Sequence, residues 1–136
     1  MAQMGTALIL TSGTIATMLA QAAAAHPREA CGLLLGEDGH VRAAVPCGNV
    51  HPEPERHFEI DPAALIAAHK AAREGGPQVL GYWHSHPNGR AGPSEVDRAA
   101  AAGDGRVWVI AASAAITVWI DAPGGFKPLP YVVADG

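Results

Sequence analysis

At 136 residues the chain has the length of one domain, enough to bury a core without disulfides or a structural metal. An apolar fraction of 49% with 16% charged residues is ordinary globular composition, which excludes a disordered or low-complexity class. The net charge is −4 and the nine basic residues are scattered, so no basic stripe marks a nucleic-acid partner, and no stretch is apolar and long enough to read as a membrane span.

Ala7-Leu8-Ile9-Leu10 reads as a short buried strand. From Thr11-Ser12 onward Ile15, Met18 and Leu19 recur at helical spacing behind a Ser/Thr cap. The stretch Ala7–Ala25 lacks the basic start of a signal peptide, its first charged neighbour being Arg28, and a cytoplasmic location is expected. Cys31–Gly36 is a continuous apolar run, the mark of a strand buried on both faces. Asp38-Gly39 fits the two-residue loop of a hairpin that returns through Val41–Val45. That register sets Cys31 opposite Pro46, so Cys31 and Cys47 are expected on opposite faces as free thiols.

Residues 46–56, with Pro46, Asn49, Pro52 and Pro54, form a proline-rich loop, and His57–Ile60 a brief strand. Asp61 as N-cap and Pro62 at the first helical position open a helix through Leu65, Ile66 and His69, which Gly75-Gly76-Pro77 ends. A central strand Val79–His86 follows, then a polar loop 87–93, a short helix Ser94–Ala102, and strands Val107–Ala111 and Ile116–Asp121. Pro123-Gly124-Gly125 turns into a last strand near Tyr131–Val133. This order predicts one α/β domain over residues 1–136 with a mixed sheet.

Two patterns carry chemistry. Residues two apart in a strand share a face, so His84 and His86 project together while Trp83 and Ser85 point away. Ser94 and Asp97, three apart, share a face of the next helix. Two imidazoles and a carboxylate are a protein ligand set for catalytic zinc, which keeps one position open. Alone, an H-x-H is more often a hydrogen-bonded pair of histidines, and Ser94…Asp97 equally matches a helix capping box. Their order and compact spacing favour a metal site in which Ser94 both caps and lines. Ser, His and Asp also spell a nucleophilic triad, but no G-x-S-x-G elbow surrounds either serine and Ser85 faces away from the histidines. For a general base Glu29 stands out, because it sits at the mouth of the buried run Cys31–Gly36. Position alone leaves open that it is a solvated connector, and Glu37, Glu53, Glu55 and Glu74 occupy looser contexts.

Glu29-Ala30-Cys31-Gly32-Leu33-Leu34-Leu35-Gly36, followed downstream by His84-Ser85-His86-Pro87 and Ser94-Glu95-Val96-Asp97, resembles the JAMM motif of the MPN/Mov34/PAD-1 metalloproteases. The pattern E…H-S/T-H-P-x6-S-x2-D is matched at every defined position, and His57–Pro62 is similar to bacterial members. The resemblance covers the chain and implies a mixed, curved sheet flanked by helices, of the JAMM/MPN, cytidine-deaminase-like kind. It implies Zn2+ held by His84, His86 and Asp97, with Glu29 as acid/base and Ser94 near the oxyanion. The implied activity is that of a zinc metallopeptidase or isopeptidase. For a small member without polyubiquitin-gripping insertions, the implied substrate is a ubiquitin-like sulfur-carrier protein cleaved after its C-terminal Gly-Gly.

Two other readings stand beside this one. A non-catalytic MPN scaffold would bind ubiquitin-like folds, though such members typically lose motif residues. A zinc hydrolase of a small molecule is the second, although the H-x-E…P-C-x-x-C pattern of deaminases is missing. His26, His40, His51, His57 and His69 read as surface or structural. A substrate tail is expected to add to a sheet edge, between walls made by loops 46–56 and 87–93.

Overall fold

The first apolar run forms β1 (Leu8–Thr11), and Thr11 closes it by capping α1 (Ser12–Ala25); the computed structural model describes residues 7–136. The Thr11 hydroxyl accepts from the Thr14 N–H at 3.1 Å, and the Thr14 hydroxyl accepts from the Thr11 N–H, a reciprocal cap. Thr14 and Met18, one turn apart, are the buried residues of this helix.

The run after α1 is β2 (Cys31–Glu37), which turns at Asp38-Gly39 into β3 (His40–Cys47). Both turn residues have positive φ, 52° and 72°, the combination a two-residue type I′ hairpin requires. The expected register fails beyond the turn. A bulge between Leu35 and Gly36 passes over Arg42, so Leu35 pairs with Ala43 and Cys31 lies directly opposite Cys47. The two cysteines therefore share a face, both as free thiols, and the inference that they point apart is corrected.

The loop after β3 leads to α2 (Pro62–Arg73), whose N-cap Asp61 accepts from the Ala63 N–H at 3.1 Å. The expected strand His57–Ile60 reduces to a single bridge between Asn49 and Ile60. Pro52 and Pro54 have no N–H to lend a ladder, and the side chain of Asn49 takes the backbone groups of His57 and Glu59 instead.

β4 (Gln78–Ser85), α3 (Glu95–Ala100), β5 (Val107–Ala112), β6 (Ala115–Ala122), β7 (Gly125–Pro128) and β8 (Tyr131–Ala134) complete the chain. β7 was not anticipated: after the β5–β6 hairpin at Ser113-Ala114, Pro123-Gly124 makes a third tight hairpin, and the chain then crosses to the far side of the sheet. All eight strands belong to one mixed sheet in the order β7-β6-β5-β4-β2-β3-β1-β8. β4 runs parallel to β5 and antiparallel to β2.

Apolar clusters cover both faces of the sheet. On one, Met18 of α1 packs with Leu8, Leu10, Leu34, Trp83 and Val109. On the other, Leu65 and Ala68 of α2 pack with Leu33, Ile60, Val79 and Phe58. A methyl group at Gly32 would collide with the Val45 carbonyl and the Trp83 indole, so that residue must be glycine for Trp83 to pack fully buried. Successive residues of β4 thus alternate between the two layers, Trp83 toward α1 and Tyr82 toward α2. Among the described residues no helix is long and apolar enough to cross a membrane.

Candidate metal centre

His84 lies near the C-terminal end of β4 and His86 one residue past it, where its N–H still donates to the Ala111 carbonyl at 2.9 Å. The loop then turns through Gly89, at φ 80°, and enters α3 at Ser94. Ser94 is the N-cap: its hydroxyl accepts from the Asp97 N–H at 3.0 Å, and the Asp97 carboxylate accepts from the Ser94 N–H at 2.9 Å. This reciprocal cap aims Asp97 at the two histidines. Capping and site geometry are the same set of bonds.

The three side chains converge. His84 Nε2 is 3.0 Å from His86 Nε2 and 3.1 Å from Asp97 Oδ1, and His86 Nε2 is 3.0 Å from Asp97 Oδ2. Two ligands about 2.05 Å from one ion at a tetrahedral angle would be about 3.3 Å apart, so this spacing suits one small ion. All three residues are buried. His86 Nδ1 sits 2.8 Å from the Arg90 carbonyl, which can only accept, so Nδ1 carries a proton and, in the neutral ring, the Nε2 lone pair faces the cluster. Two imidazole nitrogens and a carboxylate oxygen are a donor set that fits zinc.

His84 is held differently. Its Nδ1 is buried without a polar partner in the protein. The ring is fixed by aromatic contacts: Phe58 stacks on it at 4.3 Å and 21°, and Trp108 meets it at 5.7 Å and 89°.

Electrostatics separate the two carboxylates. Burial would raise the Asp97 carboxyl, but the imidazoles of His84 and His86 and the Ser94 N–H hold it well below the usual carboxylate range. Burial lowers the pKa of His84 against the pull of Asp97. At His86 burial works the same way but is outweighed by Asp97, the Arg90 carbonyl and the Glu29 charge, so its value rises. Glu29, at the mouth of β2, is buried with Oε1 unpartnered, and burial pushes it up to about 7, against His86 and with Asp97.

Glu29, His86 and Ser94 line one cleft of about 710 Å3, walled also by Arg56 of the proline-rich loop and Arg90 of the loop after β4. Ser85 points to the other face, as its alternation requires. Its hydroxyl accepts from the Ala30 N–H at 2.8 Å, and its own N–H donates to the Ala30 carbonyl. It is thus committed to the backbone and is no nucleophile. The expectation of a substrate strand added to a sheet edge meets an obstacle here, since β4 is paired on both sides and offers no edge at the site. Sequence reasoning missed Phe58, Asn49 and the Arg90 carbonyl. An aromatic two residues before Ile60 and an asparagine in a loop short of N–H donors were the available signals.

The family model of prokaryotic homologues of the JAB domain matches residues 11–122. A desampylase of Haloferax volcanii is 37% identical over 86 residues, 62% of this chain and 62% of that protein. A probable TtuB-protein conjugate cleaving protease of Thermus thermophilus is 42% identical over 71 residues, 52% of this chain and 47% of that protein. The chain thus spans between about half and three fifths of these relatives' lengths. A solution structure of a Desulfitobacterium hafniense protein superimposes with a TM-score of 0.83 at 31% identity, covering 95% of this chain and 94% of that one. With His84, His86 and Asp97 converging beside the cleft that Glu29 and Ser94 line, and the family model spanning most of its length, the chain belongs to the prokaryotic JAB-domain family, the small JAMM/MPN type.

Proposed function

We propose that this chain, as one domain, is a zinc-dependent peptidase or isopeptidase that hydrolyses the bond after the C-terminal Gly-Gly of a ubiquitin-like sulfur-carrier protein. The observation that carries the reading is the convergence of His84, His86 and Asp97 beside a cleft that also takes Glu29 and Ser94. Relatives named for desampylation and for cleaving TtuB conjugates support a ubiquitin-like substrate.

In this reading His84, His86 and Asp97 hold the metal. A zinc held there would supply Lewis acidity, making a water more acidic and polarising the scissile carbonyl. Glu29 accepts the proton of the attacking water. A carboxyl pushed up to about 7 is a stronger base than an ordinary glutamate and can return that proton near neutral pH. The water oxygen bonds to the carbonyl carbon, the C–N bond breaks, and Glu29 delivers the proton to the leaving amine. The Ser94 hydroxyl oxygen already accepts from the Asp97 N–H, which leaves its own proton free to donate to the developing oxyanion. Such a donor contributes about 3 kcal/mol in comparable sites. With β4 internal, the tail lies across the strand ends between the two loops, and glycines at the cleaved end pass a narrow groove without a Cβ.

The test is incubation of zinc-loaded protein with sulfur carriers bearing C-terminal extensions, read by intact mass. A zinc-dependent product ending at Gly-Gly is expected, and Glu29→Gln should keep zinc while losing at least ~100-fold in turnover. Cleavage indifferent to Gly-Gly→Ala-Ala, or none across a carrier panel, overturns the substrate assignment. Wild-type turnover by Glu29→Gln overturns the base.

A further inference from the structure

Glu29 is the proposed base, yet it lies in neither a helix nor a strand. It precedes β2 in an irregular connection, where a side chain is usually poorly placed. Its backbone is nonetheless fastened on both sides. The Glu29 N–H donates to the Pro54 carbonyl at 2.7 Å, and the Glu29 carbonyl accepts from Asn49 Nδ2 at 3.0 Å. The next residue is pinned to the metal-bearing strand by the Ala30–Ser85 pair of hydrogen bonds.

Asn49 is the hub of this fastening. Its Nδ2 also donates to the His57 carbonyl at 3.0 Å and reaches the Pro54 carbonyl at 3.4 Å. Its Oδ1 accepts from the N–H groups of His51 and Glu59, each at 3.1 Å. Every hydrogen-bonding site of the amide is used. The register explains the placement. Cys31 pairs with Cys47, so two steps further along the same antiparallel ladder Asn49 stands opposite Glu29. There the ladder has ended, and the Asn49 side chain donates to Glu29 where a main-chain N–H would otherwise do so. Two prolines in the loop, Pro52 and Pro54, leave few other donors for this task.

We propose that Asn49 is the positioning residue of Glu29: by cross-bracing loop 50–59 onto the Glu29 backbone, it sets where the Glu29 carboxylate stands in the metal cleft. Asn49 makes no hydrogen bond to a proposed metal ligand; its bond to the Glu29 carbonyl is its direct link to the base, while its bonds to His57 and Glu59 hold the loop that carries Phe58. The inference rests on the proposed role of Glu29 for its effect on turnover, but its effect on the Glu29 backbone is independent of any substrate.

Two variants and two readouts test it. Asn49→Ala removes the whole amide, whereas Asn49→Asp keeps the acceptor for His51 and Glu59 and removes the donors to Glu29, His57 and Pro54. In both, hydrogen exchange at the Glu29 amide should quicken about 10-fold or more, while amides of Leu34 and Trp83 and the zinc content stay as in wild type. On whichever extended carrier the wild type cleaves, kcat should fall about 10- to 100-fold with KM little changed, the effect of a misplaced catalytic group. In a Glu29→Gln background the same substitutions should cost nothing further, since residues acting through one group are not additive. Unchanged Glu29 exchange in the variants overturns the proposal, as does a loss that adds in full to that of Glu29→Gln or falls on KM alone. If Asn49→Ala does not fold, Asn49→Asp decides the case alone. An inactive wild type would overturn the proposed function, while the exchange experiment would still decide whether Asn49 holds Glu29.

Discussion

Phe58 offers a measure of what holds His84 in place. The imidazole has no polar partner at Nδ1, so its orientation depends on the strand and on the aromatic rings around it. Phe58→Ala removes the stack at 4.3 Å and the edge contact of Phe58 with Trp108 at 5.8 Å. An aromatic pair contributes about 0.5–1.5 kcal/mol beyond its buried area. If that energy orients the ring before a metal arrives, its loss is an upper bound on the affinity lost. At 1.36 kcal/mol per decade, zinc binding should weaken about 2- to 13-fold. Stability falls separately. A fully buried Phe→Ala costs about 3–5 kcal/mol, so half-buried Phe58 should cost about 2, lowering Tm by roughly 6–10 °C in a chain of this size. Zinc competition with a chromophoric chelator gives the first number and thermal unfolding of the metal-free protein the second. Phe58→Leu should recover most of the stability and little of the affinity. Zinc affinity unchanged in Phe58→Ala, despite the expected drop in Tm, would show that β4 alone orients His84 and refute the reasoning.

Purified protein should carry about one zinc per chain, as a three-ligand site with one open position holds; full occupancy in His84→Ala/His86→Ala, measured by elemental analysis, would remove the assignment. The cysteines should be inert despite their proximity to the site. Burial, with Cys47 and Glu29 nearby, pushes the Cys31 thiol up to about 12, and burial raises Cys47 as well. Alkylation of Cys31 in the folded protein at pH 8 should therefore run roughly a thousandfold slower than in the unfolded chain, and rapid labelling would contradict the burial argument.

The grouping of His84, His86 and Asp97 was legible because its spacing is local geometry. A separation of two along a strand and of three along a helix fixes faces without any knowledge of the tertiary fold, and a cap dictates where a helix begins. His84, His86, Ser94 and Asp97 are therefore found where alternation and capping put them. The errors arose where backbone groups had more than one partner available. A hairpin loop fixes only the pairs next to it; the Leu35/Gly36 bulge shifted every later pair by one and put Cys31 opposite Cys47. His57–Ile60 has the residues of a strand, but the amide of Asn49 competes for its backbone and wins. Four-residue β7 depends on β6 for its hydrogen bonds, and no periodicity can establish so short a run alone.

In the proposed function the two carboxylates take on two chemistries, and their backbone settings supply the difference. Asp97 is the third residue of a helix, and its cap supplies an N–H donor while two imidazoles stand against its other side. The two imidazoles and the Ser94 N–H favour the charged form against burial, and that is the form a cation needs. Glu29 enters the same cleft from a loop that engages its backbone and leaves its carboxyl nearly unserved: Oε1 has no donor, and burial favours the proton. A carboxylic acid that holds its proton near neutral pH is suited to carry one from water to an amine. Environments that push two acids apart separate a ligand from an acid/base. Here that separation follows from which part of each residue the protein bonds, the carboxylate of Asp97 and the main chain of Glu29. Exchanging the residue types would not exchange the roles. A glutamate at 97 could still close the capping box but would carry its carboxylate one methylene past the point where Asp97 meets the two imidazoles, and an aspartate at 29 would fall short by the same length along an unchanged, braced backbone.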